Sequence, residues 1–183
     1  EVPLDQTGYA VEEVTESGEH VSPHVVEPSF GVDRALYTAL DHCYREDEVD
    51  GESRTYLALP AGVAPTTVGV FPLMDRDGMG DRAHEVVDDL RDAGLAVTYD
   101  DSGAIGRRYR RQDEVGTPFC VTVDRDGLED DPTTVTLRDR DTGAQARLPV
   151  GELVGQLEAL RDGDADFEAV SSRYETVETA EDE

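Results

Sequence analysis

The sequence predicts an α/β fold: a mixed β-sheet with helices on both faces. Strand-like apolar stretches alternate with segments of helical periodicity between about residues 67 and 161. The stretch Thr67–Leu73 is apolar on both faces, as in a central strand. Further on, Thr133–Leu137 and Ala144–Leu148 flank the turn Asp141-Thr142-Gly143, which predicts an antiparallel hairpin. Strands alternating with helices and then a hairpin require one sheet with parallel and antiparallel neighbours.

The region before this sheet is predicted to contain a hairpin, a helix and a linker. Tyr9–Val14 and Val21–Glu27 are strand-like and flank the turn Glu16-Ser17-Gly18. The helix that follows has an apolar face at fourfold spacing, made of Val32, Leu36, Leu40 and Cys43. The acidic, glycine-containing run Arg45–Ser53 is the predicted linker, with a domain boundary near residue 54.

Two helices are predicted in the first half of the sheet region. The first spans about Met79–Ala93 and ends at Gly94. Its inner face consists of Met79, Ala83, Val86, Val87 and Leu90. After the strand Leu95–Tyr99, Asp101 or Ser102 caps a second helix that runs to about Glu114.

The last predicted elements are the strand Phe119–Val123, the hairpin described above and a final helix, Val150–Arg161. That helix buries Leu153, Val154, Leu157 and Leu160. The tail after Asp162 is acidic and poor in large apolar residues, which is typical of disorder. Within it, only Phe167, Val170 and Tyr174 favour a short packed helix.

The charge balance is extreme, with 43 acidic residues against 16 basic ones and a net charge of -27. All the basic residues are Arg, and the acids are spread between well-patterned apolar segments. Molar salt screens such self-repulsion, because the Debye length falls to about 3 Å at 1 M. We therefore interpret the chain as a halophile's cytoplasmic protein, with an ordinary acidic protein as the alternative.

Targeting, membrane and metal signals are weak. The first 20 residues carry no apolar run that would indicate a signal peptide, and no stretch approaches the ~20 apolar residues that span a bilayer. Glu1 is not an initiator Met, which predicts a piece of a longer protein. His20 and His24 are separated by Pro23, so we predict no metal site. Cys43 and Cys120 are predicted to be free thiols.

A first candidate site lies at Pro23-His-Val-Val-Glu-Pro-Ser-Phe-Gly-Val-Asp-Arg34. Here a strand would deliver Glu27, and Gly31 would open a helix with Arg34 in its first turn. A carboxylate and a guanidinium at such a junction suit a ligand with ammonium and phosphate groups, because Arg offers a planar fork to phosphate. The alternative is that Arg34 is an ordinary surface residue.

A second candidate site is the run Arg107-Arg-Tyr-Arg-Arg111. On a helix, Tyr109 would face the core while Arg107, Arg108, Arg110 and Arg111 form an exposed arc between about 140° and 300° from Ile105. Such an arc suits an RNA backbone and unstacked bases. The alternative is local ion pairing with Asp100, Asp101, Asp113 and Glu114. The loop Asp75–Asp81 is a second candidate for the edge of the domain that contacts RNA.

The amino-acid sequence of the first site resembles motif 3 of class II aminoacyl-tRNA synthetases, in the form used by glycyl-tRNA synthetases of the archaeal and eukaryotic type. The resemblance continues through Leu57-Ala-Leu-Pro-Ala-Gly-Val-Ala-Pro65, Val70-Phe-Pro-Leu73 and Tyr99-Asp-Asp-Ser-Gly-Ala-Ile-Gly-Arg-Arg-Tyr-Arg-Arg-Gln-Asp-Glu-Val-Gly-Thr-Pro-Phe119. It spans about residues 20–160.

This resemblance implies four segments. Residues 1–46 would be the carboxy-terminal edge of an antiparallel class II catalytic domain, made of a β-hairpin and the motif 3 helix. Residues 47–55 would be a linker, residues 56–162 a class IIa anticodon-binding domain, and residues 163–183 an acidic tail.

The resemblance also implies roles for individual residues. Arg34, with Gly31, matches the motif 3 residues that bind ATP. Glu27 matches the acid that pairs with the glycine ammonium, and Ser29 the small polar residue of a pocket too tight for a side chain. Steric exclusion is needed there, because one methylene adds only about 1–3 kcal/mol of attraction. The run Arg107–Arg111 falls in the region that binds tRNA.

The implied activity is glycine–tRNA ligation: glycine and ATP form glycyl-adenylate, with Mg²⁺ neutralising phosphate charge, and the glycyl group passes to tRNA(Gly). The implied partners are glycine, ATP, tRNA(Gly) and a second subunit of a homodimer, with neither DNA nor membrane. Motifs 1 and 2 are absent from this sequence, so we expect no catalytic residue here and no activity from the chain alone. The alternatives are a non-catalytic synthetase-like RNA-binding protein, or a sister enzyme for threonine, proline or histidine.

Overall fold

The computed structural model describes residues 24–49, 52–74 and 76–177 of the chain, which divides into two compact units, Glu1–Ala35 and Leu36–Glu183. Most of the predicted amino-terminal hairpin, Tyr9–Glu27, lies outside the described residues. Its described end, residues 24–27, has no regular secondary structure. The helix α1 spans Val32–Cys43, as predicted. The face of α1 made of Val32, Leu36 and Leu40 is exposed rather than packed.

Residues 47–49 and 52–55, the described part of the predicted linker, form strands instead. They belong to an antiparallel hairpin of β1 (Tyr44–Val49) and β2 (Glu52–Leu57). In this hairpin Asp47 lies opposite Arg54, whose side chain is only 6% exposed. The acidic composition that predicted a linker therefore reflects ion pairing across two strands.

The main sheet has six strands in the order β4-β3-β5-β6-β7-β8. Strand β3 (Val68–Pro72) is central and pairs in parallel with β4 (Val97–Tyr99) and with β5 (Phe119–Val123). The remaining strands pair in antiparallel fashion and are β6 (Thr134–Asp139), β7 (Gln145–Pro149) and β8 (Glu175–Thr176). The predicted mixed sheet is confirmed.

Helices cover both faces of this sheet, as predicted. On one face lie α2 (Met79–Asp92) and α5 (Val150–Asp162), whose apolar residues share one core with β3 and β5. On the other face lies α3 (Ile105–Val115): a Cβ added at Gly69 of β3 would be 3.2 Å from the Gln112 side chain of α3. Helix α2 ends as predicted, before Gly94 at φ 81°.

Two short helices complete the fold. Helix α4 (Arg125–Glu129), which the sequence did not predict, begins where the Asp124 carboxylate accepts a hydrogen bond from the Gly127 N–H at 2.7 Å. Helix α6 (Phe167–Ser171) buries Val170 completely, and β8 then pairs with β7. The tail predicted from residue 163 is thus folded onto the sheet as far as residue 177. Within the described ranges, no helix has both the length and the apolarity needed to cross a bilayer.

Candidate nucleic-acid interface

The arginine-rich helix α3 begins beside the carboxyl end of strand β4. It starts at Ile105 after the loop Asp100–Ala104 and ends at Gly116, whose φ is 87°. A Cβ at Gly116 would come within 2.7 Å of the Leu59 side chain, so both the backbone angle and the packing require glycine. The predicted cap is wrong: the N-cap is Ala104, and the Ser102 N–H and hydroxyl instead donate to the Asp100 carboxylate.

The four arginines of α3 do not form one exposed arc. Arg107, Arg110 and Arg111 are exposed, but Arg108 is only 4% exposed and the prediction is wrong for it. The helical wheel was set by Ile105, which is itself only half-buried, so the buried side of α3 is rotated toward Arg108.

Arg108 holds two chain segments together beneath the interface. Its Nη1 donates to the Pro72 carbonyl at 2.5 Å, and its Nε and Nη2 donate to the Gly103 carbonyl at 3.2 and 2.6 Å. Pro72 is the last residue of β3, and Gly103 belongs to the loop that leads into α3. The buried guanidinium therefore fixes both segments where parallel strands end.

Arg111 takes part in the local ion pairing that was the alternative for this cluster. Its guanidinium donates to the Asp100 carboxylate at 2.9 and 2.5 Å and to the Ser102 carbonyl at 2.7 Å, while 43% of the side chain stays exposed. Burial disfavours ionisation of Asp100, but hydrogen bonds from Ser102 and Arg111 outweigh it and lower the pKa of Asp100. Arg111 can thus be held in place and still present part of its surface.

Tyr109 faces inward, as predicted. Its hydroxyl lies 2.7 Å from the Thr122 hydroxyl, and its ring contacts Phe71 edge-on, with the centroids 5.8 Å apart. The Arg138 guanidinium lies 4.8 Å from the ring centroid on the ring face. Burial raises the pKa of Tyr109 to about 12. This aromatic ring is not available to an RNA base.

The chain leaves β3 and β4 toward opposite faces of the sheet. After β3 it enters α2, which packs on Val68 and Val70, whereas after β4 it enters α3, which packs on Phe71 and Gly69. In open α/β sheets, ligands bind outside the carboxyl ends of strands at such a reversal. The exposed arginines of α3 lie beside this edge.

The loop Asp75–Asp81, predicted as a second RNA-binding edge, lies at the same end of the sheet. Asp75 is outside the described residues, but Arg76 and Asp77 are 66% and 57% exposed and lie 3.8 Å apart as an ion pair. Asp77 has a φ of 56°, and Gly78 follows with a φ of 83° before α2 begins. This loop therefore adds one more exposed cation to the edge.

A buried ion cluster under the carboxy-terminal half of α3 was not predicted. The Asp113 carboxylate, only 1% exposed, accepts hydrogen bonds from Arg138 at 2.9 and 3.1 Å and from Arg54 at 3.1 Å. Arg54 also donates to Asp47 and to the Arg140 carbonyl, and the hydrogen bonds from Arg54 to Asp47 raise the pKa of Arg54. These partners are far apart in the sequence, so no local pattern predicts the cluster.

The residues of the first candidate site lie in the unit Glu1–Ala35. Gly31 directly precedes α1, whose first turn contains Arg34, as predicted, and a Cβ at Gly31 would lie 3.7 Å from the Arg34 Cβ. Glu27 and Ser29 lie on the irregular segment 24–31, and all four residues are exposed. The structure thus brings Gly31 and Arg34 together, while Glu27 lies on irregular chain rather than on the predicted strand.

The described residues contain no group of three or more His, Cys, Asp or Glu side chains that could hold a metal ion. Cys43 and Cys120 are free thiols. Burial raises the pKa of the Cys120 thiol to about 12.

Comparison with protein families places residues 67–160 in the anticodon binding domain. Among curated proteins, the chain is 52% identical over 147 residues to glycine–tRNA ligase of Archaeoglobus fulgidus, covering 80% of this chain and 25% of that protein. It is 48% identical over 156 residues to the Methanothrix thermoacetophila glycine–tRNA ligase, covering 84% and 27%. The chain therefore spans about a quarter of the length of these relatives.

Among solved structures, the fold is similar to prolyl-tRNA synthetase from Cryptosporidium parvum complexed with halofuginone and AMPPNP. The TM-score is 0.52 at 25% identity, covering 58% of this chain and 24% of that one. A second structure of that enzyme, complexed with L-proline and AMP, has the same TM-score and identity.

Proposed function

The chain belongs to the anticodon-binding domain family, and on that premise we propose that it is the tRNA-binding part of a glycine–tRNA ligase. One observation carries the proposal: the chain is about half identical to glycine–tRNA ligases over 147 and 156 residues. That similarity extends well beyond the 67–160 segment of the family match. The proposed bounds of the tRNA-binding domain are residues 56–162.

In this proposal, tRNA(Gly) binds at the carboxyl edge of β3 and β4. Arg107, Arg110 and Arg111 contact phosphates or unstacked bases from α3, because guanidinium groups bind phosphate oxygens in a planar fork. Arg108 lies beneath them, and its hydrogen bonds to Pro72 and Gly103 hold the edge in shape. Arg108 is a positioning residue rather than an RNA contact.

We assign the segment from Glu27 to Arg34 to the small-molecule site of the whole enzyme. Glu27 would accept the glycine ammonium, Ser29 would line its pocket, and Gly31 with Arg34 would bind ATP. These side chains are exposed, which leaves them accessible to ligands. Mg²⁺ would be held mainly by ATP and by residues outside this chain, since Mg²⁺ on a nucleotide takes most of its ligands from phosphates and water.

The proposal includes a homodimer in the full-length enzyme and a cytoplasmic location, where tRNA is aminoacylated for translation. A sister enzyme for proline is disfavoured by the identities: about 50% to glycine–tRNA ligases against 25% to the prolyl enzyme. The similar fold accounts for the 25% identity to the prolyl enzyme.

The decisive experiment uses the full-length protein with glycine, proline, threonine and histidine in separate reactions. We expect ATP–pyrophosphate exchange with glycine only, and glycylation of tRNA(Gly). Arg34→Ala should abolish the exchange, because ATP loses its guanidinium partner, while Asp33→Asn serves as a neighbouring control. Exchange with another amino acid, or near-normal exchange by Arg34→Ala, would contradict these assignments. tRNA binding without any exchange would favour the non-catalytic alternative.

A further inference from the structure

The imidazole of His84 and the phenol of Tyr99 form an aromatic stack. Their ring centroids are 4.2 Å apart, and the ring planes differ by 22°. His84 lies in α2 and is exposed, while Tyr99 is the last residue of β4 and is half-buried. The Tyr99 ring covers one face of the imidazole, and His84 as a whole is nevertheless exposed.

This stack lies at the edge where we place tRNA. Tyr99 directly precedes Asp100, the carboxylate that holds Arg111 on the opposite face of the sheet. The Tyr99 hydroxyl lies 3.5 Å from the carboxylate of Asp101 in the same loop. A single strand of RNA that crosses this loop would therefore meet guanidinium groups on one side and an aromatic surface on the other.

The aromatic stack supplies a surface on which a base can stack, which the arginine-rich helix α3 does not offer. Proteins that bind unpaired nucleic acid combine cationic contacts to the backbone with aromatic side chains on which bases stack. The aromatic residue of the helix itself, Tyr109, is packed inside against Phe71 and Arg138. His84 offers an exposed ring, and Tyr99 fixes its orientation from below.

The charges around His84 favour a base over a phosphate. Glu85 and Asp88 are exposed neighbours on α2, and Asp100 and Asp101 lie on the adjoining loop. This acidic surface repels phosphate groups but does not oppose stacking of a neutral base. Stacking also depends little on salt, unlike phosphate contacts.

We infer that the outer face of His84, supported by Tyr99, stacks an unpaired base of the anticodon arm. The inference rests on the proposed tRNA-binding function. It assigns the base contact to α2 and β4, and leaves the backbone contacts to Arg107, Arg110 and Arg111. Stacking on a single base should account for the whole contribution of His84 to RNA binding.

The test measures binding of the 183-residue chain to an RNA hairpin with the sequence of the tRNA(Gly) anticodon arm. His84→Ala should weaken binding by about 5- to 150-fold, the range expected for loss of one base–aromatic stack. His84→Phe, which keeps an aromatic face, should bind within about twofold of the original. His42→Ala, an exposed histidine of α1, is the matched control and should change nothing.

A scan with abasic nucleotides then identifies the partner. At one loop position, removing the base should weaken binding by as much as His84→Ala, and combining the two changes should add nothing further. The factor by which His84→Ala weakens binding should also be the same at low and high KCl, because the substitution removes no contact to a phosphate.

Three results would overturn the inference, and they are distinguishable. If the original chain binds the hairpin and His84→Ala binds equally well, His84 stacks no base while the proposed function stands. If the original chain does not bind the hairpin at any KCl concentration, the proposed function fails together with the inference. Equal weakening by His84→Ala and His84→Phe would also exclude stacking.

Discussion

The two sides of helix α3 use charged residues in opposite ways. The exposed side presents Arg107, Arg110 and Arg111 to solvent. The buried side carries Asp113 into a cluster with Arg54 and Arg138. A single helix thus joins a surface suited to RNA with an internal anchor.

Burial is what separates the two roles. The chain has 16 basic residues, of which Arg54, Arg108, Arg138 and Arg140 are buried. Each buried guanidinium has fixed carbonyl or carboxylate partners, so its geometry is set before any ligand arrives. In a protein with few cations, the number available for RNA is smaller than the sequence indicates.

The largest effect on stability should come from the buried cluster around Asp113. Asp113→Ala leaves Arg54 and Arg138 buried without their shared carboxylate, which should lower the free energy of unfolding by about 3–5 kcal/mol. Urea denaturation at constant KCl measures this, with the exposed neighbour Glu114→Ala as the control, expected within about 0.5 kcal/mol of the original. Equal midpoints for the two variants would show that the cluster does not stabilise the fold.

A smaller loss of stability is expected at Arg108, which also lies on the buried side of α3. Arg108→Met keeps much of the side-chain volume but removes the hydrogen bonds to Pro72 and Gly103, so it should cost about 2–3 kcal/mol. Arg107→Met, on the exposed side of the same turn, should cost less than about 0.5 kcal/mol. If Arg107→Met proved the more destabilising in thermal or urea denaturation, the division between buried and exposed arginines would be wrong.

The arginines on the exposed side of α3 should affect RNA binding rather than stability. Replacing Arg107, Arg110 and Arg111 together by Gln should weaken tRNA(Gly) binding roughly tenfold at 0.2 M KCl, about 1.4 kcal/mol. The slope of log K against log salt should fall by about 2, because three phosphate contacts to unpaired RNA are lost. Glycine-dependent ATP–pyrophosphate exchange by the full-length enzyme should be unaffected. An unchanged slope would mean that these arginines do not contact phosphate.

The smallest effect concerns the ion pair that holds Arg111. The pKa of Asp100 is lowered in the folded state, so its contribution to stability is present above the unfolded value of about 4 and is lost as the pH falls through the folded pKa. Arg111→Gln should reduce that acid-linked loss by less than about 1 kcal/mol, because Arg111 is 43% exposed and screened by solvent. Denaturation between pH 3 and 6, with Arg107→Gln as the control, checks this difference.

The regular elements could be predicted because their signals are local. The apolar face of α2 and the glycine that follows it fix the helix within one residue of the expected end. Strand β5 has the predicted bounds, since five consecutive buried residues follow Pro118. Apolar periodicity determines which face packs on the sheet, and that information is contained within each segment.

Charged residues could not be placed in the same way. Arg108 and Arg107 are adjacent and chemically identical, and only the rotation of α3 on the sheet makes one buried and the other exposed. The β1–β2 hairpin is stabilised by Arg54 pairing with Asp47 across the strands and with Asp113 from another element. The sequence shows such a hairpin as a polar run, because its partners are distant.

The two ends of the main sheet bear on how separate molecules behave in concentrated solution. Strand β4 at one edge has three residues, and β8 at the other has two, Glu175 and Thr176. Exposed strand edges invite pairing between molecules, and short or charged edge strands discourage it. Charge repulsion alone would fade in concentrated salt, where the net charge of -27 is screened. The short edges do not depend on salt, so they would limit edge-to-edge aggregation under conditions where the acidic surface no longer can.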